Sequence, residues 1–525
     1  MSTKTNEEPL WQSLIRKWDM TSWYPILAGC LIVWFLSCNK NSAAYIAANK
    51  NTLAVLTIIF YGILLCSAFY RKKDTQTIVG LIFLGGFLLR AFYVLSASYS
   101  ISLHDLGYFA GFDSEDSGVG HLGYIEYFYK NHHLLDFDPR TRWSFYQPPG
   151  FYIVSAVVLG ITRLFHVDAP LCYEGLQVVT LFFSSLTVWI GYRICKEFSV
   201  SDQWVLLMTA FMAVHPFYSI MSVTLTNDSM AMCLMALAIW YTIRWKKSPG
   251  IKNILVIAFA VGMAMFTKLN AAIISFGIGF VFLYVLWTNR QQWKSYLLQF
   301  VAFLAVCAPL GLGYPIRNRI RFQMPFSYIQ KINTGQTDLY ISESTLWSRL
   351  GLPTWKHLSA PFLEFVPNQH NNVWIQTIKT SLFDEIRPDV GSSLFQSVAL
   401  ILLWSAIVLV VMLNIAMLLS YLKNPKKKTE LQVFLLIEYV TMLVSYVVFC
   451  FKEPFLCTMN FRYIPLSFWI PMIETVLWLQ KDPKANSANN KHPVFQSVLV
   501  CALCVFIVLS VLVDLDFVAW SGTSL

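Results

Sequence analysis

Long apolar runs separated by short polar breaks dominate the chain. Runs near the ~20 residues that a helix needs to cross a hydrocarbon core fall at 21–38, 53–70, 78–97, 172–194, 203–223, 228–244, 251–266, 269–288, 295–313, 394–422, 431–451, 463–480 and 493–514. They predict thirteen transmembrane helices. A shorter stretch, 150–162, follows "QPP" and stops at Arg163. It is too short for a span and reads as an interfacial helix. Loop charge agrees. If 150–162 does not cross, the loops with Arg71, Lys72 and Lys73, with Arg244, Lys246 and Lys247, and with Lys423, Lys426, Lys427 and Lys428 share one side. Cytoplasmic loops carry such an excess. The N-terminus is then inside and the C-terminus outside. Two long segments, 98–171 and 314–393, lie outside, and loops of that length usually carry function. The predicted organisation is a two-span extension (1–77), a core (78–313) holding the first outer loop 98–171, the second outer segment 314–393, and C-terminal helices (394–525).

Composition fits this picture: 56% of residues are hydrophobic and 13% charged. The eleven cysteines fall mostly inside apolar runs, against a disulfide framework. The net charge of +10 follows from the basic inner loops, so no nucleic-acid partner is expected. The polar start "MSTKTNEEPLWQ" does not look like a cleavable signal.

Polar groups gather at the outer ends of the runs. "HDLGYFAGFDSEDSGVGH" (104–121) puts His104 and Asp105 just past the third run. A carboxylate at a partly dry interface suits a general base. Asp113, Glu115 and Asp116 lie on a glycine-flanked turn. They shape the loop or hold a divalent metal. His121, His132 and His133 read as interfacial hydrogen-bonding groups, with zinc as the alternative. "TNDS" (226–229), "TKLN" (267–270) and "NFRY" (460–463) mark three more outer ends. Asp228 is a substrate contact or part of a helix N-cap. Lys268 and Arg462 can hold a phosphate, with Tyr463 beside them. Arg317, Arg319 and Arg321 can rest on headgroups. Deep within the runs stand Arg90, Glu438 and Glu474. Arg90 is expected to pair with backbone carbonyls or with Glu438. A transporter or flippase would keep its polar site near the midplane. Polarity at the outer ends favours an enzyme instead.

A span with Arg90 leading to "HDLG" is followed by "GHLGYIEYFYKNHHLLDFDPR", "YQPPGFY", "HPFYSIMSVTLTNDS", "FTKLN", "TSLFDE" and "CTMNFRYIP". In content and order these fragments resemble GT-C superfamily glycosyltransferases, the group with protein O-mannosyltransferases and the lipid A aminoarabinose transferase. The resemblance spans roughly residues 78–480. It implies an all-α polytopic membrane protein of GT-C fold. It also implies inverting transfer of a sugar from a polyprenyl-phosphate donor to a hydroxyl of a glycan, lipid or protein at the extracytoplasmic face. Asp105 matches the catalytic base and Asp228 the second acidic position. Pro148 and Pro149, preceded by Gln147, match a proline pair, and Arg462 and Tyr463 an Arg-Tyr pair at the donor phosphate. The bacterial plasma membrane is the expected location, the endoplasmic reticulum the alternative.

Overall fold

The computed structural model describes residues 22–100, 119–330, 339–341, 344–363, 371–385, 393–423, 426, 428–480 and 493–520. In chain order the helices are α1 Tyr24–Cys38, α2 Lys40–Tyr70, α3 Thr75–Ser96, α4 Gly120–Asn131, α5 Gly150–Leu164, α6 Ala169–Glu197, α7 Asp202–Ala213, α8 Pro216–Val223, α9 Asp228–Lys247 and α10 Ile251–Thr267. There follow α11 Ser275–Thr288, α12 Trp293–Phe322, α13 Leu346–Leu350, α14 Trp355–Ser359, α15 Val373–Phe383, α16 Ser393–Lys423, α17 Glu430–Lys452, α18 Trp469–Leu479 and α19 Pro493–Trp520. Each predicted apolar run contains a helix, but 463–480 is α-helical only from Trp469, 203–223 is broken at Val214 and His215, and fewer than thirteen runs form helices of spanning length. Among the described residues, eight helices are long and apolar enough to span a membrane, and the pair α7–α8, bent by 42°, makes a ninth. The protein is a multi-pass, all-helical membrane protein.

Helices α1, α5, α10 and α18 are apolar but shorter. Helix α5 leaves Val157, Ile161 and Leu164 exposed along one face. Its other face packs on α4 and α6, and Arg163 at its end pairs with Glu126 of α4 at 2.5 Å. One boundary differs from expectation. Helix α12 runs on to Phe322, so Arg317, Arg319 and Arg321 sit on its last turns rather than on an outer loop. Arg317 is tied to the carbonyl of Leu135, and Gln323 ends the helix in the left-handed conformation, φ 55°.

The break between α7 and α8 shapes the interior. Pro216 has no N–H and cannot continue a helix. The next N–H, of Phe217, turns to His215 Nδ1 at 3.3 Å, which leaves the carbonyl of Ala213 without its helical donor. Arg90 Nη1 supplies one at 2.7 Å, while its Nε donates to Ser185 Oγ at 3.1 Å. Asp514 of α19 accepts from Ser219 Oγ of α8 at 2.9 Å. Glu438 is therefore not the partner of Arg90. It packs against Gly277 of α11, because α17 borders α11 and not α3. Glu474 lies near the loop between α16 and α17, where it pairs with Lys428 at 2.9 Å.

The C-terminal end of α8 exposes four carbonyls with no helical donor. Thr224 Oγ1 donates to Ile220 O (2.9 Å), Ser229 Oγ to Met221 O (2.6 Å), Thr180 Oγ1 to Ser222 O (2.7 Å) and Gln177 Nε2 to Val223 O (2.9 Å). These bonds hold the start of α9 against α8 and α6. Close backbone approach helps, since a Cβ on Gly86 of α3 would stand 2.5 Å from the carbonyl of Ala213.

Arg90→Met should destabilise the fold by about 1–3 kcal/mol, since it leaves the buried carbonyl of Ala213 without its donor. Arg90→Lys, which keeps a donor, should recover part of the loss. Thermal unfolding of the purified chains in detergent checks both, and an unchanged midpoint for Arg90→Met would contradict the assignment.

Candidate functional site

The corner where α8, α9 and α10 meet is polar. Asn227 precedes α9 but makes no capping bond. Its Nδ2 donates to Thr267 O at 2.8 Å and faces Gln147 Oε1 at 3.5 Å. Within "TNDS" it is Thr226 whose side chain meets a free helix-start N–H, its Oγ1 accepting from Asp228 at 3.4 Å. Asp228 stands in the first turn of α9, where the helix dipole favours an acid. Its carboxylate forms an ion pair with Lys268 Nζ. Lys268 follows α10 and opens the 3₁₀ turn Leu269–Ile274. Both side chains are largely buried, 9% and 12% exposed. The start of α5 closes the corner. A Cβ on Gly150 would meet Phe266 O and Thr267 Oγ1 at 2.9 Å, so only glycine fits after the proline pair.

"NFRY" reaches this corner from the other side. Asn460 Oδ1 accepts from the N–H of Arg462 at 3.0 Å, and its Nδ2 donates to Asp384 Oδ1 at 2.6 Å. Thr380 Oγ1 accepts from the N–H of Phe461 at 2.9 Å. "TSLFDE", at the end of α15, thereby holds the 3₁₀ turn Phe461–Tyr463. The Tyr463 ring lies under Lys268 Nζ at 4.9 Å, a cation–π distance. It also packs on Phe449 at 4.8 Å.

A cavity of about 520 Å³ opens here. His121, Tyr146, Gln147, Asn227, Asp228, Lys268, Arg462 and Tyr463 line its polar part, with Lys452 and Glu453. Met232, Met235, Ile273, Met442 and Phe449 are among its apolar lining. At 1.5 Å per residue, Met232 and Met235 lie about 6 and 10 Å along α9 from Asp228. Along α17, Phe449, Tyr446 and Met442 recede in the same way from Lys452. The cavity therefore has a charged mouth and an apolar depth between helices. Tyr146 is at the mouth, where burial pushes its hydroxyl up to about 12 against the pull of the Arg462 guanidinium. It stays a neutral hydrogen-bonding group. His121 Nδ1 meets Tyr152 OH at 2.8 Å, with the two rings stacked at 5.7 Å.

Seven residues singled out in the sequence thus share one cavity: His121, Gln147, Pro148, Asp228, Lys268, Arg462 and Tyr463. His104, Asp105, Asp113, Glu115 and Asp116 lie outside the described residues. His132 ends α4 in the left-handed conformation, φ 56°, and His133 Nδ1 meets Leu134 O at 2.9 Å. Among the described residues, no three or more His, Cys, Asp and Glu side chains are grouped for a metal. The sequence reading passed over Tyr146, Asn227, Asp384 and Asn460, though each stood inside a quoted fragment. Tyr328 and Lys452, also in the lining, had no such signal.

Lys268→Met should cost about 3–5 kcal/mol by leaving Asp228 buried without its cation, and Lys268→Met/Asp228→Asn should cost less. Thermal unfolding of the four chains in detergent gives the coupling, and additive losses would show that the pair does not act as a unit.

One family model overlaps the fragments. The model of the dolichyl-phosphate-mannose-protein mannosyltransferase family matches residues 152–312. No curated protein matches. Among solved structures the chain is similar to ArnT from Cupriavidus metallidurans bound to undecaprenyl phosphate. That likeness has 12% identity, covers 83% of this chain and 76% of the other, and has a TM-score of 0.45. It is also similar to ArnT from the same organism in the apo state, at 12% identity, 68% and 71% coverage and a TM-score of 0.32. The stretch from 152 to 312, which includes Asp228 and Lys268, is thus similar in sequence to the dolichyl-phosphate-mannose-protein mannosyltransferases, a GT-C family.

Proposed function

We propose that the protein is a membrane glycosyltransferase that moves a sugar from a polyprenyl-phosphate donor to an acceptor hydroxyl. The observation that carries this reading is the cavity itself, with Lys268 and Arg462 at its mouth and Met232, Met235, Ile273 and Met442 in its depth. An amphiphile with a phosphate and a long apolar chain matches both parts. The family match supports the same chemistry.

In this reading Lys268 and Arg462 hold the phosphate and offset the charge that develops on it as the glycosidic bond breaks. Tyr463 sets the height of Lys268. Asp228 fixes Lys268 and offers an acceptor to a sugar hydroxyl, beside Asn227, Gln147 and His121. Asp105 takes the proton of the acceptor hydroxyl, with His104 next to it. The acceptor oxygen attacks the anomeric carbon and polyprenyl phosphate leaves from the opposite side, so the configuration inverts. The acceptor is a glycan, lipid or protein. The site faces the extracytoplasmic side, with the N-terminus in the cytoplasm and the C-terminus outside. A bacterial plasma membrane is the preferred setting.

Assays of the purified chain in nanodiscs with radiolabelled polyprenyl-phosphate sugars test the proposal. Asp105→Asn should lower turnover roughly 10²–10⁴-fold, and Arg462→Ala should lower kcat about 10²–10³-fold. Normal turnover by folded Asp105→Asn removes the base assignment. Movement of intact labelled lipid between leaflets without sugar transfer would establish transport instead. Because side-chain cations hold the phosphate, activity should survive EDTA. Loss on chelation would bring Asp113, Glu115 and Asp116 into the site as metal ligands.

A further inference from the structure

Three large apolar side chains stand far out on the segment between α12 and α15. Trp347 is 73% exposed, Leu352 82% and Trp355 72%. The segment is well fixed. Thr345 and Ser348 exchange capping bonds at 3.0 and 3.1 Å, and the N–H of Thr354 donates to His357 Nδ1 at 3.2 Å. Asn372 Nδ2 donates to Gly351 O at 2.8 Å and Trp374 Nε1 to Leu350 O at 2.9 Å. A contiguous exposed apolar patch on a rigid element marks an interaction surface.

Its attachment points say what covers it. Arg349 of α13 donates to Cys450 O at 2.7 Å and lies 4.6 Å over the Phe451 ring, at the end of α17. Trp355 of α14 lies 6.2 Å from Trp404 of α16. Both contacts fall on apolar stripes that the long helices leave exposed. On α17 the stripe is Val440, Val444, Val448 and Phe451. On α16 it is Ile401, Val408, Val411, Ile415, Leu418 and Leu422, with Trp404 in the same helical phase. These stripes are the faces that lipid tails touch. From Leu422 to Trp404 is about 27 Å at 1.5 Å per residue, close to the ~30 Å of a hydrocarbon core. Trp404 is thus near the core's edge, and Trp355 lies beside it. Tryptophan favours that depth, and Lys356, exposed next to it, can reach headgroup phosphates.

We infer that Leu346–Ser359 is seated in the bilayer leaflet on the Lys452 side of α17, with Trp347, Leu352 and Trp355 at the boundary of headgroups and acyl chains. The partner is the lipid surface. Helix α17 carries both the seat, through Cys450 and Phe451, and the cavity wall, through Met442, Tyr446 and Phe449. The seat therefore holds the cavity mouth at headgroup depth.

The test places p-benzoylphenylalanine singly at positions 347, 352 and 355 of the full chain in phosphatidylglycerol–phosphatidylcholine nanodiscs. Position 418, on the α16 stripe, is the lipid control. Position 130, where Lys130 is 67% exposed, is the solvent control. After irradiation, mass spectrometry should find phospholipid adducts at all three positions, at the level of 418 and about tenfold above 130, as for an interfacial element. Adduct yields equal to that at 130 would show a solvated face and overturn the inference. Cross-links between two copies of the chain would overturn it in favour of a protein interface.

Discussion

Backbone carbonyls released by the break at Pro216 and by the end of α8 must find donors where water is scarce, and much of the interior is arranged around that need. An unsatisfied peptide group in an apolar membrane environment costs several kcal/mol. Arg90 answers Ala213, while Thr224, Ser229, Thr180 and Gln177 answer the end of α8. Each donor comes from a different position on α3, α6 or the turn into α9. The bonds therefore fix those elements relative to one another as firmly as packing does. They also explain why an arginine lies fully buried in a helix that otherwise looks lipid-compatible.

The same bonds place the functional corner. Ser229 is anchored to α8, so the preceding Asp228 emerges at a set point and meets Lys268 at the end of α10. A second polar lock works from the far side of the cavity, where Asp384, Asn460 and Thr380 shape the turn that carries Arg462 and Tyr463. The two locks are separate in sequence and meet only across the cavity. The phosphate-binding chemistry proposed for Lys268 and Arg462 depends on both. Neither cation could hold a defined position on a loose loop without losing side-chain entropy on binding.

Much of this was legible in the chain. Period and run length gave every described span, because a membrane accepts little besides apolar helices. The breaks at "TNDS", "TKLN" and "NFRY" stood out because polar groups at the ends of such runs are conspicuous. Partner choice was harder to read. Arg90 could have met Glu438, but α17 borders α11 rather than α3, and Gly277 gives Glu438 its place. Asp228 read as a substrate contact or part of a helix N-cap, and only the approach of α10 showed its pairing with Lys268. Helix α12 outran its apolar segment, with Arg317 held on the carbonyl of Leu135 and Gln323 as a left-handed cap.

By itself the sequence determined the class, the helices and the end of the bundle on which polar residues collect. These follow from local hydropathy and charge, which one-dimensional patterning expresses directly. Tertiary structure alone decided which polar ends share a cavity, why Asn460 and Asp384 matter to Arg462, and that Met232 and Met442 line a common apolar depth. Those facts depend on helix neighbours and crossing geometry. Spans of similar hydropathy are interchangeable in a one-dimensional pattern, and only their small-residue contacts and buried hydrogen bonds select the arrangement.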